Sequence, residues 1–142
     1  MTKVDFYILQ SGSREHTACK LIDKAYALGH RIYVHAESED EVNKIDGLLW
    51  TYRAASFIPH QRYQNDSSTS FKNDSPVQLG THDAPNIDSD VLINLASEVP
   101  LFFSRFQRVA ELVGSDEQAK ELGREHYQFY RDRGYALKTH NL

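Results

Sequence analysis

Lys120, Arg124, Tyr127 and Arg131 follow one another at intervals of four, three and four residues. On a helix such intervals bring side chains to one face, here a basic row with an aromatic ring inside it. A guanidinium offers a planar fork to a carboxylate, and a tyrosine ring supplies an apolar wall beside it. This combination suits capture of an acidic peptide end and makes no provision for bond making. The plainer reading is a solvated helix face, with Lys120 beside Glu121 and Arg124 beside Glu125 as surface charges and Tyr127 turned inward. From Lys120 to Lys138, five basic residues (Lys120, Arg124, Arg131, Arg133, Lys138) meet three acidic ones (Glu121, Glu125, Asp132), a local positive excess on a chain of net charge −4. That sign matches an anionic peptide.

Other chemistries find less support. The histidines at 16, 30, 35, 60, 82, 126 and 140 are scattered and form no ligand pair at helical spacing with an acidic third ligand, so no metal site is expected. Cys19 lies between apolar residues of a helical pattern and reads as a buried, inert thiol. Ser11 and Ser13 lack the G-x-S-x-G elbow of a hydrolase. The loop Gln10-Ser11-Gly12-Ser13 follows a strand, where an α/β fold would bind a nucleotide or phosphate. It carries one glycine and neither phosphate-loop pattern, which leaves nucleotide binding as the rival reading. No cofactor is expected.

A second group, Trp50, Phe57, Ile58 and Pro59, places large apolar side chains in an otherwise polar connection. Such residues mark an exposed patch for a protein partner, or else Trp50 and Phe57 merely seal the end of the core.

A chain of 142 residues with 40% hydrophobic residues, eight Tyr and seven Phe is enough for one core, so one domain over residues 1–142 is expected. A pI near 5.9 opposes direct nucleic-acid binding, even though the aromatics could stack on single-stranded bases. The N-terminus lacks a signal-peptide layout, one cysteine allows no internal disulfide, and no apolar run approaches a membrane span. A cytoplasmic protein is expected.

These side chains need a frame. Val4 to Leu9 reads as a strand buried on both faces, and Ala18, Leu21, Ile22, Ala25 and Leu28 mark a helix that stops at Gly29. Arg31 to Ala36 repeats the strand pattern, and Ser38 with Glu41 forms an S-x-x-E box opening a helix through Val42, Ile45 and Leu49. Regularity fails from Thr51 to Pro76, with an exposed loop at about residues 62–75. Strands follow at Pro76 to Thr81, Val91 to Ala96 and Arg108 to Val113, with a short helix around Pro100 to Phe106. A final helix runs from Asp116 to about Gly134, acidic at its start and basic at its end. Alternating strands and helices predict a single-domain Rossmann-like α/β fold, mostly parallel, with helices on both faces of the sheet.

Two stretches, Asp88-Ser89-Asp90-Val91-Leu92-Ile93-Asn94-Leu95 and Glu98-Val99-Pro100-Leu101-Phe102-Phe103-Ser104-Arg105-Phe106-Gln107-Arg108-Val109, closely resemble the chi subunit family of bacterial DNA polymerase III. Val4-Asp5-Phe6-Tyr7, Leu49-Trp50-Thr51-Tyr52, Ser56-Phe57-Ile58-Pro59-His60 and Arg124-Glu125-His126-Tyr127 support the likeness over essentially the whole chain. The resemblance implies a non-catalytic subunit in DNA replication that pairs with the psi subunit of the clamp-loader complex and binds the acidic C-terminal tail of single-stranded DNA-binding protein. It places tail binding on Lys120, Arg124 and Tyr127, joined in the same row by Arg131, and psi binding around Trp50, Phe57, Ile58 and Pro59. Gln128 stands where the family usually has a lysine.

Overall fold

The computed structural model describes residues 2–51, 58–63, 75–81 and 89–142. In them the order is β1 (Lys3–Ile8), α1 (Arg14–Ala27), β2 (Ile32–His35), α2 (Glu39–Thr51), β3 (His60–Arg62), β4 (Val77–Gly80), β5 (Val91–Asn94), a 3-10 turn (Phe103–Arg105), β6 (Arg108–Val113), α3 (Glu117–Asp132) and β7 (Ala136–Asn141). The strands form one sheet in the order β3-β4-β2-β5-β6-β1-β7, with every neighbouring pair parallel.

Local chemistry sets the helix ends. Ser13 Oγ accepts from His16 N at 3.1 Å to start α1, and Gly29 ends that segment with φ +87°, a conformation other residues adopt at a cost. At α2, Ser38 Oγ accepts from Glu41 N at 3.3 Å, while the Glu41 carboxylate accepts from Glu37 N at 2.8 Å, a capping box shifted one residue towards the N-terminus. Asp116 caps α3 by accepting from Ala119 N at 2.8 Å.

Alternation along the strands divides the core in two. Ile32, Val34, Val77, Leu79, Ile93 and Leu112 face α1 and α2. Val4, Phe6, Tyr33, Leu92 and Val109 face the other way, beneath Tyr130 of α3 and the aromatic segment Phe102, Phe103 and Phe106. Helices therefore cover both faces of a parallel sheet, the Rossmann-like α/β arrangement expected from the pattern.

Both edges depart from the sequence reading. β3 lies inside the segment expected to be irregular, and Tyr63 just after it is 4% exposed. Of the loop expected at about residues 62–75, Arg62 closes β3, and residues 64–74 lie outside the described residues. β7 follows α3, where no further element was expected, and forms the opposite edge beside β1.

Candidate peptide-docking face

The face is built on one lateral row of the sheet. Gly80, His35, Asn94, Glu111, Phe6 and Thr139 are register partners in neighbouring strands, and all point towards the α3 layer. α3 crosses above this row. Gly123 lets it come close, since a Cβ there would stand 2.9 Å from both γ-carbons of Val113. Two consecutive residues then land on adjacent positions of the row. The ring of His126 meets the carboxylate of Glu111, Nδ1 to Oε1 at 2.9 Å, and the ring of Tyr127 meets Phe6 at 5.3 Å between centroids.

That docking fixes the rotation of the helix. His126 and Tyr130 are buried, whereas Lys120, Arg124 and Arg131 are exposed and Tyr127 sits half-buried at the boundary. Tyr127 leans on β1, so the basic row that shares its helix face lies on the side of α3 towards β1 and β7, the last strand of the sheet among the described residues. Among the described residues Lys120 has a single 3.9 Å ion pair, with Glu117, exposed and worth little. Arg131 accepts no constraint beyond a 3.3 Å hydrogen bond that it donates to Gln128, whose amide in turn donates to Asp132 at 2.6 Å. Arg124 makes no hydrogen bond or ion pair among the described residues, and it precedes Tyr127 by three positions on α3, an interval that brings side chains to one face.

The fold removes two cations from the count made along the sequence. Arg133 lies 3.5 Å from the Phe129 ring centroid and donates to the Phe129 carbonyl oxygen at 3.1 Å. Lys138 is in register with Asp5 and so belongs to the opposite face of the sheet. What remains is the row Lys120, Arg124, Tyr127, Arg131.

The second group is divided. Trp50, in the last turn of α2, has 58% of its surface exposed, its ring centroid 5.0 Å from that of His60. Pro59 is half-buried. Ile58 is 3% exposed and packs in the core below α2, so its side chain offers no surface to a partner. Ile58 thus departs from the expected exposed patch, because it enters the core just before β3. Phe57 lies outside the described residues.

The loop after β1 borders a cavity of about 420 Å³ at the carboxyl ends of the strands, also lined by Glu37, Ser97, Gly114 and Asp116. Its cation is occupied: Arg14 donates to the Leu95 carbonyl oxygen at 3.1 Å and to Glu41 Oε2 at 3.3 Å. Asp116 already takes an amide at the α3 start, and Glu15 and Glu37 add negative charge. This lining does not favour a phosphate. Cys19 is fully buried, and burial with the Glu15 charge pushes its thiol up to about 11, too high for a nucleophile. Among the described residues no group of three or more His, Cys, Asp or Glu could hold a metal ion, and no helix is long and apolar enough to cross a membrane.

Sequence reading passed over the polar cluster beneath α3. Glu111 is 3% exposed; beside the His126 contact, its Oε2 accepts from Tyr130 Oη at 2.7 Å and from Asn94 Nδ2 at 2.9 Å. A signal was present, since Glu111 shares the strand face of Val109 and Val113, where a lone carboxylate requires buried partners.

The profile of the family described as DNA polymerase III chi subunit, HolC, matches residues 1–138. The chain belongs to that chi subunit family. Among similar proteins, the DNA polymerase III subunit chi of Pseudomonas aeruginosa PAO1 is 39% identical over 145 residues, covering 100% of this chain and 98% of the relative. That of Haemophilus influenzae is 30% identical over 141 residues, covering 96% and 95%, and that of Escherichia coli K12 is 26% identical over 147 residues, covering 98% and 97%.

Proposed function

We propose that this chi-family chain is a non-catalytic subunit of DNA polymerase III in DNA replication and works as an adaptor. The α3 flank holds the acidic C-terminal tail of single-stranded DNA-binding protein, and the Trp50 end joins the psi subunit of the clamp-loader complex. The observation that carries the first half is Arg124, an exposed residue with no hydrogen bond or ion pair among the described residues, three positions before the half-buried Tyr127 on the same helix of an acidic protein. Such a pair grips a terminal carboxylate and an adjacent apolar side chain together. Gln128 lowers the positive charge of the flank relative to the usual family pattern and ties Arg131 instead. For the second half, Trp50 supplies an exposed aromatic of the kind that anchors interfaces, with Pro59 close in sequence to its partner ring His60.

Fluorescence anisotropy of a labelled tail peptide tests the first half. Wild-type protein should bind, and Arg124→Ala should weaken binding about tenfold, equivalent to about 1.4 kcal/mol, as for loss of a charge-assisted contact. Affinity unchanged by Arg124→Ala removes the site from this flank.

A further inference from the structure

His126 stands on α3 between Arg124 and Tyr127 but points into the protein, with 8% of its surface exposed. Its Nδ1 lies 2.9 Å from Glu111 Oε1 and its Nε2 lies 2.8 Å from the carbonyl oxygen of Ser97. The carbonyl can only accept, and so can an ionised carboxylate. A neutral imidazole has one N–H and satisfies one of them, whereas the imidazolium satisfies both. Glu111 has its second oxygen filled by Tyr130 and Asn94, both neutral donors, which leaves His126 as the cation that compensates this buried carboxylate.

The groups around the His126 and Glu111 pair come from every element packed against it. Glu111 comes from β6 and Asn94 from β5, while Tyr130 and Glu125 belong to α3 itself. From the loop after β5 comes Ser97, which Glu37 holds in turn by accepting from its N at 2.6 Å and its Oγ at 3.0 Å. Arg14 lines the adjoining cavity and is committed to Leu95 and Glu41.

We infer that His126 is the positioning residue of the peptide site: as an imidazolium it ties α3 to β6 and to the loop after β5, and so holds Arg124 and Tyr127 in one presentation. This rests on the docking reading above. Loss of the proton breaks one of the two bonds and strips Glu111 of its cation, freeing the helix to shift or rotate over the row it crosses. Burial opposes the charged ring, but the Glu111 hydrogen bond and charge and the Ser97 carbonyl outweigh it, so His126 holds its proton above the ordinary imidazole range. A peptide that prefers the tied helix must, by linkage, raise that proton affinity further.

The test uses the full chain at constant ionic strength between about pH 6 and about pH 9, a window that spans the loss of an imidazolium proton. The probe is a labelled peptide of a run of aspartates ending in an apolar residue and a phenylalanine with a free carboxylate. Wild-type affinity should fall about fivefold or more across the window. NMR of the His126 ring should show titration at higher pH when the peptide is bound. His126→Arg, a permanently charged double donor, should bind at the alkaline end as wild type binds at the acid end. If His126→Arg does not fold, His126→Gln should give weak binding without pH dependence. Wild-type affinity flat with pH, or a fall that persists in the substituted chain, overturns the positioning role and leaves docking intact. No binding at the acid end defeats the docking reading itself.

Discussion

Arg124 and His126 are two residues apart on α3 and differ in burial, the first exposed and the second buried. At Arg124 the claim concerns shape as well as charge. Arg124→Lys keeps the cation but loses the planar fork, so affinity for the tail peptide should fall between wild type and Arg124→Ala in the same anisotropy titration. An affinity equal to wild type would mean that only the charge is read. For His126, the folded-state pKa lies above the ordinary 6.5. Its stabilisation is therefore fully present below that ordinary value and is lost as pH rises through the folded value. The thermal midpoint of wild type should decline over this alkaline range, and His126→Gln should be less stable at low pH with a flatter profile. Neither behaviour is legible from spacing alone. The basic row shows in the intervals between its members, whereas the meaning of His126 depends on Glu111 in another element.

For the elements, the contact of α3 with β6 decides where the row points. Helix propensity favours alanine over glycine by about 1 kcal/mol, but at Gly123 the added carbon would press on both γ-carbons of Val113. Gly123→Ala should thus destabilise by about 1–3 kcal/mol in denaturant unfolding and weaken peptide binding, and Val113→Ala in the same chain should recover part of both. Gly123→Ala more stable than wild type would show that the helix has room to spare. The interior strands and the three α-helices of the described residues were legible: apolar runs mark the strands, the apolar spacing from Ala18 to Leu28 marks α1, the Ser38 and Glu41 box opens α2, and the acidic start and basic end mark α3. The Ser13 cap of α1 was not foreseen. The edges were not. β3 is His-Gln-Arg, and in β7 only Leu137, Thr139 and Asn141 face the covered side while Lys138 lies on the other, so neither strand carries the hydrophobic signature of its neighbours. The division of the Trp50 group was equally hidden, since only the entry into β3 turns Ile58 inward.

Across the molecule, the two proposed surfaces lie towards opposite edges and on opposite faces of the sheet. α2, with Trp50, packs near β3 and β4, and α3 packs over β6 and β7. Six inter-strand steps separate the edges, about 29 Å. An adaptor requires such separation, because two partners can then be held at once and a weak tail contact gains from local concentration. Trp50→Ala should accordingly weaken capture of psi in a pull-down while leaving tail-peptide affinity within experimental error, as expected for distant sites. Tail binding should weaken as salt is raised, since an exposed row is screened over about 8 Å at physiological ionic strength. Coupled losses at both surfaces would argue that one surface serves both partners. The most direct measurement of the central claim is a heteronuclear NMR titration of isotope-labelled full chain with the unlabelled tail peptide. Shifts should concentrate at Lys120, Arg124, Tyr127 and Arg131 and at the neighbouring β7 strand, with the Trp50 end unmoved. Shifts centred on Trp50, or on the cavity beside Gly12 and Asp116, would contradict it.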